Sequence, residues 1–340
     1  VSASSVRVAG MILGVNGPLA PTAVGAVLSA ETLLRNAPPP AGNIGQAASV
    51  SAFERAPVTI ENLGRLLLGA ANRDDRTLTE VDAEAALRAL PRDGVTPPLV
   101  VVLADSVTGR AADPAALRRL SRATGVSLVR GVFPDPASWG PARRDETLPD
   151  SAGIVGAIPP SDAHLVAVAA TAAALTGLPL ALAPATGFSE LAAALSTARA
   201  AGLTGERILV TGVRPLLAAA GTGVADARLD ELIELLVSSG AWLCVDDLGR
   251  IPTVRTVVSD HDLALAIRHM VERGLGDRIT LSVGLRNKHR LTAFGGNGLE
   301  FVADQYLPYL GMCGVTDAAR RGLAGENASR FLVCSDGGTA

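Results

Sequence analysis

A chain of 340 residues with 48% hydrophobic and 19% charged side chains can bury one large core and is far from the composition of a disordered chain. Thirty basic and thirty-three acidic residues give a formal charge of −3 with no block of like charges, which argues against a nucleic-acid partner and against a polybasic membrane anchor. Three scattered cysteines (Cys244, Cys313, Cys334) make neither a disulfide framework nor a Cys-x-x-Cys zinc site, so packed thiols in a reducing, cytoplasmic setting are expected.

No charged segment leading into an apolar run opens the chain at Val1, and no signal peptide is expected. Residues 1–23 read as an N-terminal segment. A first strand lies in VGAVLSAE around Val27, and residues 36–57, with the Pro-rich stretch Asn36–Asn43, read as the loop after it. Helical patterns cover 59–71 and 79–90, and PPLVVVLADS around Val101 supplies a second strand. Asp113-Pro114 then starts a helix that stops at Gly125. Apolar runs follow at VSLVRG near Val129, AGIVGA near Val155, LPLALA near Ala181, RILVTG near Leu209, AWLCVDD near Leu243 and RITLSVG near Leu281, one βα unit apart. Between them, Asp226–Gly240 and Asp260–Gly274 repeat the helix grammar of acid at the start and glycine at the stop. The longest apolar run, Leu165–Ala185, is broken by Gly177, Pro179 and Pro184 and does not read as a membrane span. Eight strands alternating with helices predict an α/β fold, a closed (β/α)8 TIM barrel forming a single domain over 1–340.

In such a barrel the chemistry sits at the C-terminal strand ends. Arg130, Arg214, Arg250 and Arg286 fall at or just beyond strands three, six, seven and eight, and their forks suit a phosphate, sulfate or carboxylate. Asp246 and Asp247 close strand seven, Asp105 follows strand two, and Thr32 follows strand one. Each of these arginines and aspartates has an equally ordinary use in pairing with the other to hold loops. Asp226 is most simply a helix N-cap whose loop position also permits it to face the pocket. His289 follows strand eight beside Asn287 and Lys288, as a rim contact or a solvated loop residue. Glu31 alternates to the outer face and reads as structural. Phe133 and Trp139 either cover the mouth or pack their own loop, and Gly295–Gly298 reads as a structural turn rather than a phosphate loop.

Several segments together resemble the phosphotriesterase family of the amidohydrolase superfamily over nearly the whole chain. They are VAGMILGVNGPLAPTAVGAVLSAETLL, VVVLADSVTGRAADPAALRRLSRATGVSLVRGVF, and the stretch from GDRITLSVGLRNKHRLTAFGGNGLEF to GENASRFL. The resemblance implies the barrel and a tendency to homodimerise. It also sets six metal-ligand positions against Ala30, Thr32, Gly156, Ala183, Gly212 and Gly284, none of which keeps the family's ligand, and the only lysine, Lys288, falls too late to replace the metal bridge. The exchange of large polar side chains for small ones predicts a roomier, drier pocket.

These features lead to a metal-independent enzyme of small-molecule biosynthesis that uses no cofactor. Asp246, Asp247 or Asp105 would serve as base, with Arg130, Arg214, Arg250, Arg286, Thr32, Asp226 and His289 around a substrate that carries an anionic group. The reaction would be a cyclisation or elimination that expels a sulfate- or phosphate-like group. The alternative is a non-catalytic barrel that binds a small ligand or a partner subunit, and a separate activating subunit is compatible with either reading.

Overall fold

Eight short parallel strands carry the fold: β1 (Val27–Glu31), β2 (Leu99–Val102), β3 (Ser127–Val132), β4 (Ile154–Ile158), β5 (Leu180–Leu182), β6 (Ile208–Val210), β7 (Trp242–Val245) and β8 (Ile279–Leu281). They pair in chain order from β1 to β8, every pair parallel, and correspond one for one to the eight apolar runs of the sequence. The computed structural model describes residues 8–36, 47–92, 94–106, 108–134, 148–149, 151–219 and 223–336.

The strands alternate as a barrel wall requires. Leu99, Val101, Val129, Ala181, Leu209 and Cys244 face one buried cluster, together with Ile12, Phe331 and Leu332, which plug the N-terminal end of the barrel. Val100, Val102, Leu128, Val155, Leu182, Val210, Val245 and Leu281 face the other cluster, under the helices. The plug comes from a hairpin (Ile12–Gly14 with Gly17–Leu19) and the helix α8 defined below, joined by an antiparallel bridge between Ile12 and Val333.

The longer helices are α1 (Ala48–Arg55), α2 (Glu80–Ala89), α3 (Pro114–Thr124), α4 (Ala163–Thr176), α5 (Phe188–Ala200), α6 (Asp226–Ser239), α7 (Asp260–Glu272) and α8 (Asn327–Leu332). Their starts follow local chemistry. The Asp113 carboxylate accepts the backbone N–H groups of Ala115 and Ala116, and Ser259 and Asp262 form a reciprocal capping box at α7. The apolar run Leu165–Ala185 is divided between α4 and β5, and among the described residues no helix is long and apolar enough to cross a membrane.

One expectation is corrected here. The segment 36–57 is not all loop: Asn36 pairs with Thr77 in a two-residue ladder, and α1 occupies Ala48–Arg55, burying Phe53 against Val58 and Leu66. The Pro-rich residues 37–43 lie outside the described residues.

Between β8 and β1 the described residues form no strand ladder, and the barrel closes there through a side chain. Glu31 is fully buried, and its Oε1 accepts from Ser282 Oγ at 2.6 Å and from the N–H groups of Val283 at 2.8 Å and Gly284 at 3.2 Å. Its Oε2 accepts from Leu285 N–H at 2.5 Å. Ser282 Oγ takes the N–H of Ala30, and Leu285 O takes the N–H of Thr32. A register shift between Leu28 and Glu31 brings Glu31 level with the helix-facing Val102, so its carboxylate reaches β8 from the outer side of the wall. Burial is the largest influence on this carboxyl and raises its pKa, with the four hydrogen bonds opposing.

Candidate functional site

The C-terminal strand ends gather the candidate side chains, and the structure divides them into those already committed to the protein and those still available. Asp247 is committed. It sits in the left-handed backbone region (φ +63°), its Oδ1 accepts from Arg290 Nη1 at 2.8 Å and its Oδ2 from Arg250 Nη1 at 2.7 Å. Arg290 also donates to the carbonyls of Leu248 and Val283. Asp247 thus has both carboxylate oxygens engaged in holding the loop after β7.

Arg214 is committed as well. Buried, it donates to Val258 O at 2.6 Å, Asp247 O at 2.9 Å and Asp260 Oδ1 at 2.5 Å. Asp260 Oδ2 in turn accepts the N–H of Gly249, which ties the loop Asp247–Ser259 to the start of α7. Arg250 is more than half exposed and paired with Asp247. Arg130 has the parity of Leu128 and Val132, so it points to the helix layer and not into the barrel. There it donates to Ala112 O at 2.7 Å and Ser151 Oγ at 3.0 Å, and burial pulls its pKa down. Asp105 pairs with Arg35, a residue the sequence reading missed, at 3.0 Å. Asp226 is exposed in the first turn of α6, one residue past the N-cap position held by Ala225, and makes no capping bond. Thr32 is buried at the β1–β8 seam.

His289 is held by Asp75, which the sequence reading also missed. Nδ1 lies 2.7 Å from Asp75 Oδ1, which also accepts the His289 N–H, and Asn287 Nδ2 donates to Oδ2. Burial works to raise the Asp75 pKa, but the bonds and charge from His289 and Asn287 outweigh it and leave the carboxyl below its ordinary range. Lys288 Nζ meets Asp74 Oδ1 at 2.7 Å. The adjacent acids Asp74 and Asp75 were a signal in the sequence, since the opposite partners Lys288 and His289 are themselves adjacent. Phe133 is half-buried against the outer core, Trp139 lies outside the described residues, and Asn297 of the glycine turn donates to Gly249 O.

Two groups stay available. Asp246 has the parity of Cys244, so it points into the barrel, and it is 4% exposed. Its Oδ1 accepts the N–H of Gly212 at 2.8 Å. Burial is the largest influence on Asp246 and raises its pKa; the nearby Arg286 charge opposes this and the Asp247 charge adds to it. Arg286, half-buried beyond β8, makes no side-chain hydrogen bond or ion pair among the described residues. Its backbone carbonyl is held by Arg35 Nη1 at 2.9 Å. Among the described residues, the sequence candidates left uncommitted at the mouth are thus a buried carboxylate, Asp246, and a guanidinium, Arg286, whose charge acts on it.

The expectation of extra room is corrected at three of the six former ligand positions. Gly212 has φ +70°, and a Cβ there would overlap the Pro184 side chain; Gly284 has φ +65°, and its Cβ would fall 2.8 Å from the Asp247 nitrogen. At Gly156 a Cβ would overlap the Ala181 carbonyl. Backbone and proline occupy the space that a Cβ would need at these three positions. Among the described residues no three His, Cys, Asp or Glu side chains are grouped to hold a metal ion, so this donor set does not fit the binuclear centre that the family resemblance implies. A surface groove of 620 Å³ bordered by Arg199, Glu206 and Arg278 lies at the opposite, N-terminal strand ends, away from this chemistry.

Comparisons with known proteins agree with the barrel. A resiniferatoxin-binding protein from Rhodobacter sphaeroides superposes with a TM-score of 0.78 at 26% identity, covering 98% of this chain and 97% of that one. The Escherichia coli phosphotriesterase homology protein, solved with phosphate in its active site, shares the fold at a TM-score of 0.63 and 20% identity, covering 91% and 99% of the two chains. A phosphotriesterase-related protein of Drosophila pseudoobscura pseudoobscura is 32% identical over 95 residues, 26% of this chain and 27% of its own length. That of Drosophila willistoni is 30% identical over 111 residues, 31% of each chain, so the matches span only about a quarter to a third of the curated relatives. The family model described as the phosphotriesterase family matches residues 150–332, more than half of the chain and all of the barrel from β4 to α8, and the chain belongs to that family.

Proposed function

We propose that this chain is a metal-independent enzyme of small-molecule metabolism in which Asp246 removes a proton and Arg286 receives an anionic group that departs. The observation that carries the reading is a buried carboxylate, raised in pKa by desolvation, within the electrostatic reach of a guanidinium that makes no side-chain hydrogen bond or ion pair among the described residues. A carboxylate in that setting is a stronger base than one in water, and an arginine fork matches a sulfate or phosphate. In the reaction, Asp246 takes a proton from an N–H, O–H or activated C–H of the substrate. The electron pair so released closes a ring or forms a double bond, the C–O bond to the ester carbon breaks, and the sulfate or phosphate leaves with that bond's electrons toward Arg286. The three committed arginines take no part in this step and frame the loops around it.

A panel of alkyl sulfate esters carrying an internal amine or hydroxyl, or an acidic C–H beside the ester carbon, tests the proposal by ion chromatography of free sulfate. Release is expected from at least one class, unchanged after dialysis against EDTA, lost in Asp246→Asn, and falling as the pH drops through the raised pKa of Asp246. Release that disappears with EDTA and returns with zinc or manganese would refute it.

A second reading, a ligand-binding barrel without turnover, is favoured by the full-length likeness to the resiniferatoxin-binding protein. Calorimetry with resiniferatoxin separates the two: binding unaffected by Asp246→Asn, with no ester turned over, would favour the binding protein.

A further inference from the structure

Resting on that reading, we propose that His289, oriented by Asp75, is a second catalytic residue of the site and delivers a proton through Nε2 to the departing phosphate-type oxygen held at Arg286. His289 lies three residues beyond Arg286 in the loop after β8. An ionised carboxylate only accepts, so the 2.7 Å contact to Asp75 Oδ1 assigns the Nδ1 proton as donated and leaves Nε2 as the nitrogen that exchanges protons. Nε2 makes no hydrogen bond to a described residue, and the side chain is 13% exposed.

Asp75 is itself fixed from behind. Its N–H donates to the buried Asn72 Oδ1 at 2.8 Å, and Asn72 Nδ2 donates to the carbonyls of Phe53 and Ala56. The loop is already braced without the imidazole, through Lys288 N–H to Asp75 O, His289 N–H to Oδ1 and Asn287 Nδ2 to Oδ2. The ring contact adds orientation beyond what bracing requires. The neighbouring charges are spoken for: Lys288 is paired with Asp74 and lies 3.7 Å from Asp82, and Arg290 is paired with Asp247. In the step, Asp246 gains the substrate proton while imidazolium Nε2 gives its proton to the leaving oxygen as the C–O bond breaks, and solvent exchange restores both groups.

The chain has four histidines, so ¹⁵N-histidine labelling gives a resolvable spectrum, with His289→Gln identifying the signal. Titration of wild type with inorganic phosphate is expected to shift the His289 Nε2 resonance saturably, to leave His164, His261 and His269 in place, and to lose the effect in Arg286→Gln. Phosphate that binds by calorimetry without moving His289 overturns this proposal alone. Absence of any phosphate binding overturns the underlying anion site with it. In turnover, His289→Gln is expected to slow phosphate-ester release by about 10²-fold, while release of the less basic sulfate stays within a few-fold. Equal loss of both would make His289 structural. Asp75 acts as a positioning residue, and Asp75→Asn is expected to slow phosphate release while sulfate release stays within a few-fold, a selectivity that mere loop bracing would not produce.

Discussion

Asp246 and Asp247 are neighbours in sequence with opposite physical situations, and the pair Asp246→Asn and Asp247→Asn tests the assignment of one to chemistry and the other to anchoring. Asparagine tolerates the left-handed backbone at 247, so that variant probes the carboxylate alone. It weakens a charge-assisted bond from Arg290, whose side chain is 8% exposed, and a more exposed pair with Arg250. The first is worth about 1.5–3 kcal/mol and the second at most about 1 kcal/mol. A loss of about 2–3 kcal/mol is expected, an apparent Tm lower by roughly 3–4 °C for a chain of this size.

Asp246→Asn keeps an oxygen for the Gly212 N–H and removes a charge that burial disfavours. With a native pKa above the ordinary 3.8, the unfolded chain releases this proton first as the pH rises. Wild type therefore loses stability relative to Asp246→Asn between 3.8 and the raised native value, and the difference levels off above it. Urea unfolding between pH 5 and 8 is expected to find Asp246→Asn as stable as wild type or more so, and inactive, with Asp247→Asn destabilised but partly active. If Asp246→Asn is destabilised at pH 7.5 as much as Asp247→Asn, Asp246 is a structural anchor and the base assignment fails.

At the barrel seam, Glu31→Gln keeps the three bonds to Oε1 but sets an NH₂ against the Leu285 N–H, a buried donor left unsatisfied at about 1–3 kcal/mol; denaturant midpoints read this directly, and an unchanged midpoint would show that the seam closes without the carboxylate. Sulfate affinity by calorimetry is expected to drop at least tenfold in Arg286→Gln and to stay within twofold in Arg250→Gln, whose side chain is already paired and 58% exposed. Restoring large ligands with Gly212→His plus Gly284→Asp is expected to destabilise by several kcal/mol, since each site carries a left-handed φ costing about 1–2 kcal/mol to a side chain in addition to the overlap; stoichiometric zinc in the purified double variant, measured by elemental analysis, would contradict this.

The strands were legible because each is a short apolar run between loop residues, and the helices because Asp113, Asp260, Gly125 and Gly240 mark their ends. The choice between Asp246 and Asp247 was within reach of strand parity, since Asp246 follows Cys244 by two. What parity cannot reach is the partner of a long side chain. Arg35 meets Asp105, and Asp75 meets His289, across 70 and 214 residues of chain. Those pairings depend on how the β1–β2 insert folds back over the loop after β8, which the adjacency of Asp74 with Asp75 and of Lys288 with His289 hints at but does not fix. For the same reason four arginines looked equivalent in sequence, although three find carbonyl, hydroxyl or carboxylate partners and Arg286 finds none for its side chain among the described residues.

The glycines at the former ligand positions have acquired a use that the word loss does not describe. A carboxylate inside the barrel wall needs compensation for the water it gives up, and a metal pair is one source of it. Here the backbone supplies it: the Gly212 N–H reaches Asp246 Oδ1, and the Gly284 N–H reaches Glu31 Oε1. Both residues have positive φ, and a side chain at either would collide with Pro184 or with the Asp247 backbone. The substitutions that remove metal ligands therefore fix the local backbone geometry that presents these two N–H donors. Asp246 receives one such bond and stays raised in pKa, whereas Glu31 has all of its four bonds within the seam. That difference in remaining hydrogen-bonding capacity is what the proposed role of Asp246 rests on, while Glu31 is used up in closing the wall.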